Sequence, residues 1–282
     1  MKVRIANILF VFGITRILFF ISRIIYGNHI RVINYHGTSL PDMLNFEEHL
    51  RFYSKYYQNV NYNDLNEFFA SDKSFLKKPG LIISFDDGHR SNYENALPLL
   101  EKYGFTAWLM VPPGPIDFDL NDQKDYVGSP SDMDLLQFPD GRLVMNWEEL
   151  QKASESHVIG CHTYTHHRMR TEDDATVLDH EIYQSKKKLE SRLNRNITIF
   201  CWVGGEGRHY TKSAAKQIKD AGYTYSFLTN TIPIFNSTSP LQISRTNIEV
   251  NNSFSLVLFQ LSGLMDVFYY PKYKRINRIT SV

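Results

Sequence analysis

The chain has 282 residues, enough to bury one large core, and since single α/β barrels exceed 200 residues the length does not demand a second domain. Apolar residues make up 43% and aromatic residues 14%, while 31 basic against 30 acidic residues leave a formal charge of +1, which argues against a nucleic-acid partner. Two cysteines, Cys161 and Cys201, are too few for a disulfide scaffold and form no C-x-x-C pair, so the redox compartment stays open.

Residues 1–27 are an apolar segment predicted as one helix from about Ile5 to Tyr26, membrane-associated or anchoring. Its length matches a hydrocarbon core of ~30 Å, but a central arginine costs about 2.5 to 3.5 kcal/mol on insertion. Arg16 and Arg23 lie seven apart on one helix face, which also suits a helix lying in the interface. No small-residue cleavage site is obvious, so a removable signal peptide is the weaker reading. Interfacial, spanning and core placements all stay open.

A catalytic domain over residues 28–282 follows, opening with the β-branched strand Ile30–Tyr35, which ends at His36. The spacing of Phe46, Leu50, Phe52, Tyr53 and Tyr56 predicts a helix over Asn45–Tyr57. Next come a strand Leu81–Phe85, a helix Asn92–Tyr103 and a strand Phe105–Val111. Residues 113–146 form an acidic, Pro- and Gly-punctuated insertion with Asp117, Asp119, Asp122, Asp125, Asp132, Asp134 and Asp140, predicted as a lid or binding loop. The alternation resumes with a helix from Asn146, a strand His157–Cys161, a helix Asp173–Leu193 and a strand Ile197–Val203. A helix Lys212–Ala221, strands Tyr223–Leu228 and Leu241–Ser244, and a helix Phe254–Met265 complete it. Such alternation implies an α/β fold with a parallel sheet and helical crossovers, whose chemistry collects at the C-terminal ends of the strands.

The unusual polar residues fall at those ends. In Ser84-Phe85-Asp86-Asp87-Gly88 two adjacent carboxylates point in different directions, so one can bind a cation while the other faces a water. A turn and helix N-cap explains an Asp-Asp-Gly equally well. In His162-Thr163-Tyr164-Thr165-His166, histidines four apart share a face if the segment turns helically. Together the motifs supply one aspartate and two histidines, the three-ligand open set of a catalytic divalent site, with zinc the expected ion.

With these motifs, the chain resembles the polysaccharide deacetylase superfamily, carbohydrate esterase family four or the chitooligosaccharide deacetylase homology domain, over roughly Ile30 to Leu264. The Ser84–Gly88 motif, its spacing to Phe105–Pro113, and the stretch from Trp147-Glu148-Glu149-Leu150 to His166 carry the resemblance. It implies a distorted (β/α) barrel of about seven strands, with Asp86 as general base, Asp87, His162 and His166 as metal ligands, and Thr163 bracing the loop. Family members often keep the histidine acid near the C-terminus, whereas this chain has no histidine after His209. His36, in Ile33-Asn34-Tyr35-His36-Gly37, instead resembles the circularly permuted branch and becomes the expected acid; a strand-end histidine satisfied by backbone is the alternative.

The segment Phe200–Gly207 departs from the family pattern, lacking its arginine and proline-tyrosine sequence. Here Trp202 is a candidate sugar-stacking wall, Gly204 and Gly205 are candidate oxyanion donors, and Arg245 is the candidate replacement partner for Asp86, with a surface salt bridge as its plain alternative. The resemblance implies a metal-dependent hydrolase that removes an N-acetyl or other N-acyl group from an amino sugar. Its expected partners are an envelope polysaccharide or a lipid-linked glycan, at a membrane surface of a bacterial-type cell envelope. A catalytically silent glycan-binding barrel and a lipid-linked sugar deformylase are the rival readings; the oligomeric state is open.

Overall fold

The computed structural model describes residues 2–71, 76–128 and 136–282; Asp132 and Asp134 of the acidic insertion lie outside them. Seven parallel strands close a barrel: β1 (Ile30–Tyr35), β3 (Gly80–Phe85), β4 (Ala107–Val111), β5 (Val158–Cys161), β6 (Ile199–Cys201), β7 (Tyr225–Thr229) and β8 (Ile243–Asn247). β1 pairs with β3 along its whole length and with β8 only through Ile33 and Asn34, which closes the ring. A short eighth strand, β2 (Gln58–Asn59), flanks the start of β3.

Alternation along each strand sorts side chains into two layers. Ile30, Val32, Ile82, Trp108, Met110, Ile199, Phe227 and Ile243 form one apolar cluster that fills the barrel. Ile33, Leu81, Ile83, Leu109, Ile159, Phe200 and Trp202 belong to the larger cluster between strands and helices. Gly160 is required by the interior packing, because a Cβ there would stand 2.6 Å from Met110 Sδ and 2.8 Å from Ile199 Cγ2. At the C-terminal ends the interior layer turns polar, with Asn34, Ser84, Asp86, His162 and Arg245 all buried.

Several elements differ from the sequence reading. The N-terminal segment is two helices, Lys2–Val11 and Ile14–Tyr26, bent by 90°. Gly13, at φ 72° in the left-handed region, makes the break. A helix over Tyr62–Ala70 was not anticipated, although Asn61 and Asp64 form a capping box at its start. The helix expected to end at Met265 stops at Leu261, turns at Gly263 and restarts as Leu264–Thr280. The acidic insertion is partly helical, at Pro113–Ile116 and Leu120–Val127, with Asp119 capping the second helix. Gln123 Oε1 accepts from the backbone N–H groups of Leu143 and Val144, folding the insertion back onto the barrel beside His89.

Candidate active site

β3 ends by delivering Asp86 and Asp87 to the barrel mouth, and the two carboxylates part there. Asp86, buried, turns inward to Arg245, whose Nη1 donates to Oδ1 at 2.6 Å and Nη2 to Oδ2 at 2.9 Å. Arg245 lies within β8 rather than past its end, so alternation carries it into the interior, where Nη1 also meets Ser84 Oγ at 3.2 Å. The surface salt-bridge alternative is thereby overturned, since the Arg245 side chain is only 1% exposed. Burial opposes the Asp86 charge, but the Arg245 guanidinium outweighs it and holds the carboxyl below its usual range.

Asp87 takes a left-handed backbone, φ 71°, which swings its side chain away from Asp86. The Nε2 atoms of His162 and His166 stand 3.5 and 3.0 Å from Asp87 Oδ1, and His89 Nε2 stands 3.6 Å from Oδ2. The segment carrying the two histidines is not helical. Positive φ at Thr163 (61°) and His166 (65°) turns it as a loop and still converges the imidazoles. What braces this loop is Glu181, which accepts from the backbone N–H of Tyr164 and Thr165 and from Thr165 Oγ1 at 2.8 to 3.0 Å. Thr163 does not brace it through its hydroxyl, which is buried and unpartnered. Tyr126, from the insertion, donates to the Asp87 carbonyl at 3.0 Å and stands edge-on to the His166 ring.

The donor set fits a cation. His162 Nδ1 donates to the Cys201 carbonyl at 2.9 Å, so in the neutral ring the Nε2 that faces Asp87 carries the lone pair. Asp87 Oδ1 is buried without a hydrogen bond of acceptable geometry, and the ligand atoms of Asp87, His162 and His166 lie within 4.8 Å of one another. Facing lone pairs repel unless a positive charge sits among them. A second grouping, Asp86, His162 and Cys201, is also compact, but Arg245 already occupies both oxygens of Asp86.

His36 lies where β1 ends beside the Asp86 backbone, whose N–H donates to the Tyr35 carbonyl at 2.9 Å. Its Nδ1 meets Glu249 Oε1 at 3.0 Å, so the alternative of a histidine satisfied by backbone does not describe it. Burial works against its charged form, but the bond to Glu249 and the fields of Asp86 and Asp87 prevail and push its pKa up to about 9. Asn247 Nδ2 donates to the same Glu249 oxygen at 2.9 Å, and Asn34 Nδ2 donates to Asn247 Oδ1 at 2.8 Å and to Asp86 Oδ2 at 3.4 Å. A continuous network therefore joins His36 to Asp86. Sequence reasoning missed Glu249, whose one signal is its place just past the end of β8.

Three remaining candidates fall elsewhere. Trp202 is no stacking wall, because its ring is 1% exposed in the layer between strands and helices, where Nε1 donates to Ser226 Oγ at 2.8 Å. Gly204 and Gly205 are packed against His209 and Thr229, leaving no room even for a Cβ at Gly204, 2.7 Å from His209 Nδ1. No contact places either glycine at Asp87. His167 turns to Asp173, 2.9 Å away, and His209 is buried beneath Gly204.

Comparison with known proteins bears on this geometry. The family model described as "Polysaccharide deacetylase" matches residues 73–226. YxkH of Bacillus subtilis (strain 168), whose name assigns it provisionally to polysaccharide deacetylation, is 30% identical over 86 residues, and that match spans 28% of this chain and 30% of YxkH. Among solved structures, the Streptococcus pyogenes deacetylase PplD in complex with acetate superposes with a TM-score of 0.64 at 18% identity, over 83% of this chain and 98% of PplD. A de-N-acetylase from Aggregatibacter actinomycetemcomitans gives 0.62 at 17% identity, over 82% and 98%. At such identities these likenesses speak for the fold alone, and they agree with the closed seven-stranded barrel.

Proposed function

Because the chain belongs to the polysaccharide deacetylase family, we propose that it is a metal-dependent hydrolase that removes an N-acetyl, or other N-acyl, group from an amino sugar in an envelope polysaccharide or lipid-linked glycan. The observation that carries this reading is the convergence of Asp87, His162 and His166 beside an Arg245-held Asp86. Those three residues would hold a divalent ion, zinc first by the nitrogen and carboxylate donors. When bound, such an ion supplies Lewis acidity toward an amide carbonyl and acidifies water at its open position.

Hydrolysis adds water oxygen to the amide carbon, breaks the C–N bond and gives the departing amine a proton. Asp86, kept ionised by Arg245, takes the proton that water loses. Arg245 holds both oxygens of that carboxylate and fixes its plane. His36, protonated near neutrality and oriented through Nδ1 by Glu249, delivers a proton from Nε2 to the sugar nitrogen. The second carboxylate, Asp87, is kept from base duty because it would hold the ion together with His162 and His166.

The test is release of acetate or formate from a panel of N-acylated glycans and lipid-linked sugars. Acetate release supports the reading, formate release moves it to a deformylase, and binding without release moves it to a silent barrel. Asp86→Asn should keep the metal and lower turnover by about 10²- to 10⁴-fold. A His162→Ala, His166→Ala double variant should lose the metal outright; unchanged metal content by elemental analysis would sink the assignment.

A further inference from the structure

We propose that the two N-terminal helices and the start of the C-terminal helix together form one monotopic face that inserts into a single leaflet of an anionic bilayer. Val11, Ile24 and Ile25 on the N-terminal helices and Phe12 in the turn between them, with Val267 and Phe268 on the C-terminal helix, are each 70 to 81% exposed. Lys2 Nζ donates to Tyr269 at 2.8 Å and Tyr26 donates to Asp266 at 3.0 Å, so both ends of the bent pair meet the helix that carries Val267 and Phe268. Two regions at opposite ends of the chain are thus brought together on one side of the molecule.

The opposite faces of these helices are already used. Ala6, Phe19 and Ser22 are buried against the domain, Phe19 among Phe52, Tyr56 and Tyr57, and Arg23 Nη1 donates to the Tyr56 carbonyl at 2.6 Å. A core role explains that inner face and leaves the outer one unexplained. Spanning is disfavoured by length and by the bend. The helices hold 10 and 13 residues, about 15 and 20 Å at the helical rise, against a hydrocarbon core of ~30 Å. Among the described residues no single helix is long and apolar enough to cross a membrane, and straightening the 90° bend would strip Phe19 and Ala6 from their contacts.

Charge selects the partner. Residues 1–30 contain Lys2, Arg4, Arg16 and Arg23 and no Asp or Glu, and residues 267–282 contain Lys272, Lys274, Arg275 and Arg278 and no Asp or Glu. Exposed apolar side chains rimmed by cations match a leaflet bearing anionic headgroups. The bend also touches the segment leading from Glu249, since the Phe10 ring stands edge-on to Phe254 and Ser255 Oγ donates to Asn7. Docking would therefore hold the mouth near the headgroups, where a lipid-linked or wall-proximal glycan lies. The docking itself does not rest on the proposed hydrolysis, and its test reads binding rather than turnover.

The experiment is flotation of the full-length chain with vesicles of phosphatidylcholine alone or mixed with phosphatidylglycerol. The chain should float with the anionic vesicles and far less with the neutral ones. Ile24→Asp with Ile25→Asp, and separately Val267→Asp with Phe268→Asp, should each cut the bound fraction about tenfold while leaving the circular-dichroism melt unchanged. Cysteines placed by Arg4→Cys and Asn28→Cys should both react with an impermeant maleimide from the same side of sealed vesicles, the two native cysteines being buried. Absence of flotation, indifference to the Val267 and Phe268 pair, labelling from opposite sides, or a lipid-free dimer that covers this face would each overturn the proposal.

Discussion

His36 and Glu249 show how a single contact sets the working range of a residue. An imidazole raised to about 9 by its carboxylate partner holds its proton at neutrality and loses it only as pH climbs through that value. Removing the carboxylate removes a raising influence, so the pKa must fall toward the ordinary 6.5. In the proposed mechanism this moves the alkaline limb of kcat to lower pH. Glu249→Gln is therefore expected to leave metal content intact and to lose several-fold of turnover above pH ~8 while keeping most of it below pH ~6. A pH profile with an unmoved alkaline limb would show that Glu249 does not orient or tune the acid.

At the scale of elements, the loop after β5 matters more than the strand that leads into it. Thr163 and His166 occupy a backbone region that branched and bulky residues disfavour, at about 1 to 3 kcal/mol each, and the surrounding structure must impose it. Glu181 supplies that restraint from a single π-type helical stretch, Asp179–Gln184, inserted into the long helix after the loop. Such insertions redirect one side chain without breaking the helix, and they gather at functional sites. Glu181→Ala is expected to leave the barrel folded but to weaken divalent-ion binding by about 10- to 100-fold, as loss of an outer-shell partner typically does. Titration with zinc against a competing chelator checks this, and unchanged affinity would mean that the loop holds its shape unaided.

For the whole molecule, the short register between β1 and β8 leaves the first half of β1 without a strand partner on that side. The gap is filled by the loop after β7, where Ile234 bridges Ile30, and by Arg31, which reaches the Thr231 carbonyl and Asp266. The Arg31 and Asp266 side chains are buried, 2.7 to 2.8 Å apart in a bidentate pair, and Tyr26 donates to the same carboxylate. One ion pair thus fastens the barrel, the N-terminal helices and the C-terminal helix together. Asp266→Ala leaves a guanidinium buried and unpaired, so stability should drop by about 3 to 5 kcal/mol. The lowered urea midpoint should come without a change in slope if unfolding stays two-state. A midpoint within experimental error of the unaltered chain would show that water or another group replaces the carboxylate.

The amino-acid sequence alone determined the parallel α/β order and the motif residues, because both follow from local features: period-two apolar runs, helical spacings, and polar residues just past strand ends; the closed barrel was implied only through the family resemblance those motifs carry. The apolar character of the N-terminus was legible in the same way. Tertiary structure alone decided which partners meet. Asp86 and Arg245 are 159 residues apart, and His36 and Glu249 are 213 apart. No local pattern encodes those pairings; closure of the ring between β1 and β8 creates them. The direction of Trp202 was equally out of reach, since β6 has only three residues and too short a run of alternation to tell inward from outward. The convergence of two histidines was readable from their spacing of four, but its cause was not. A helix and a strained loop can present the same pair, and only the loop's contact with Glu181, a residue from another element, selects between them.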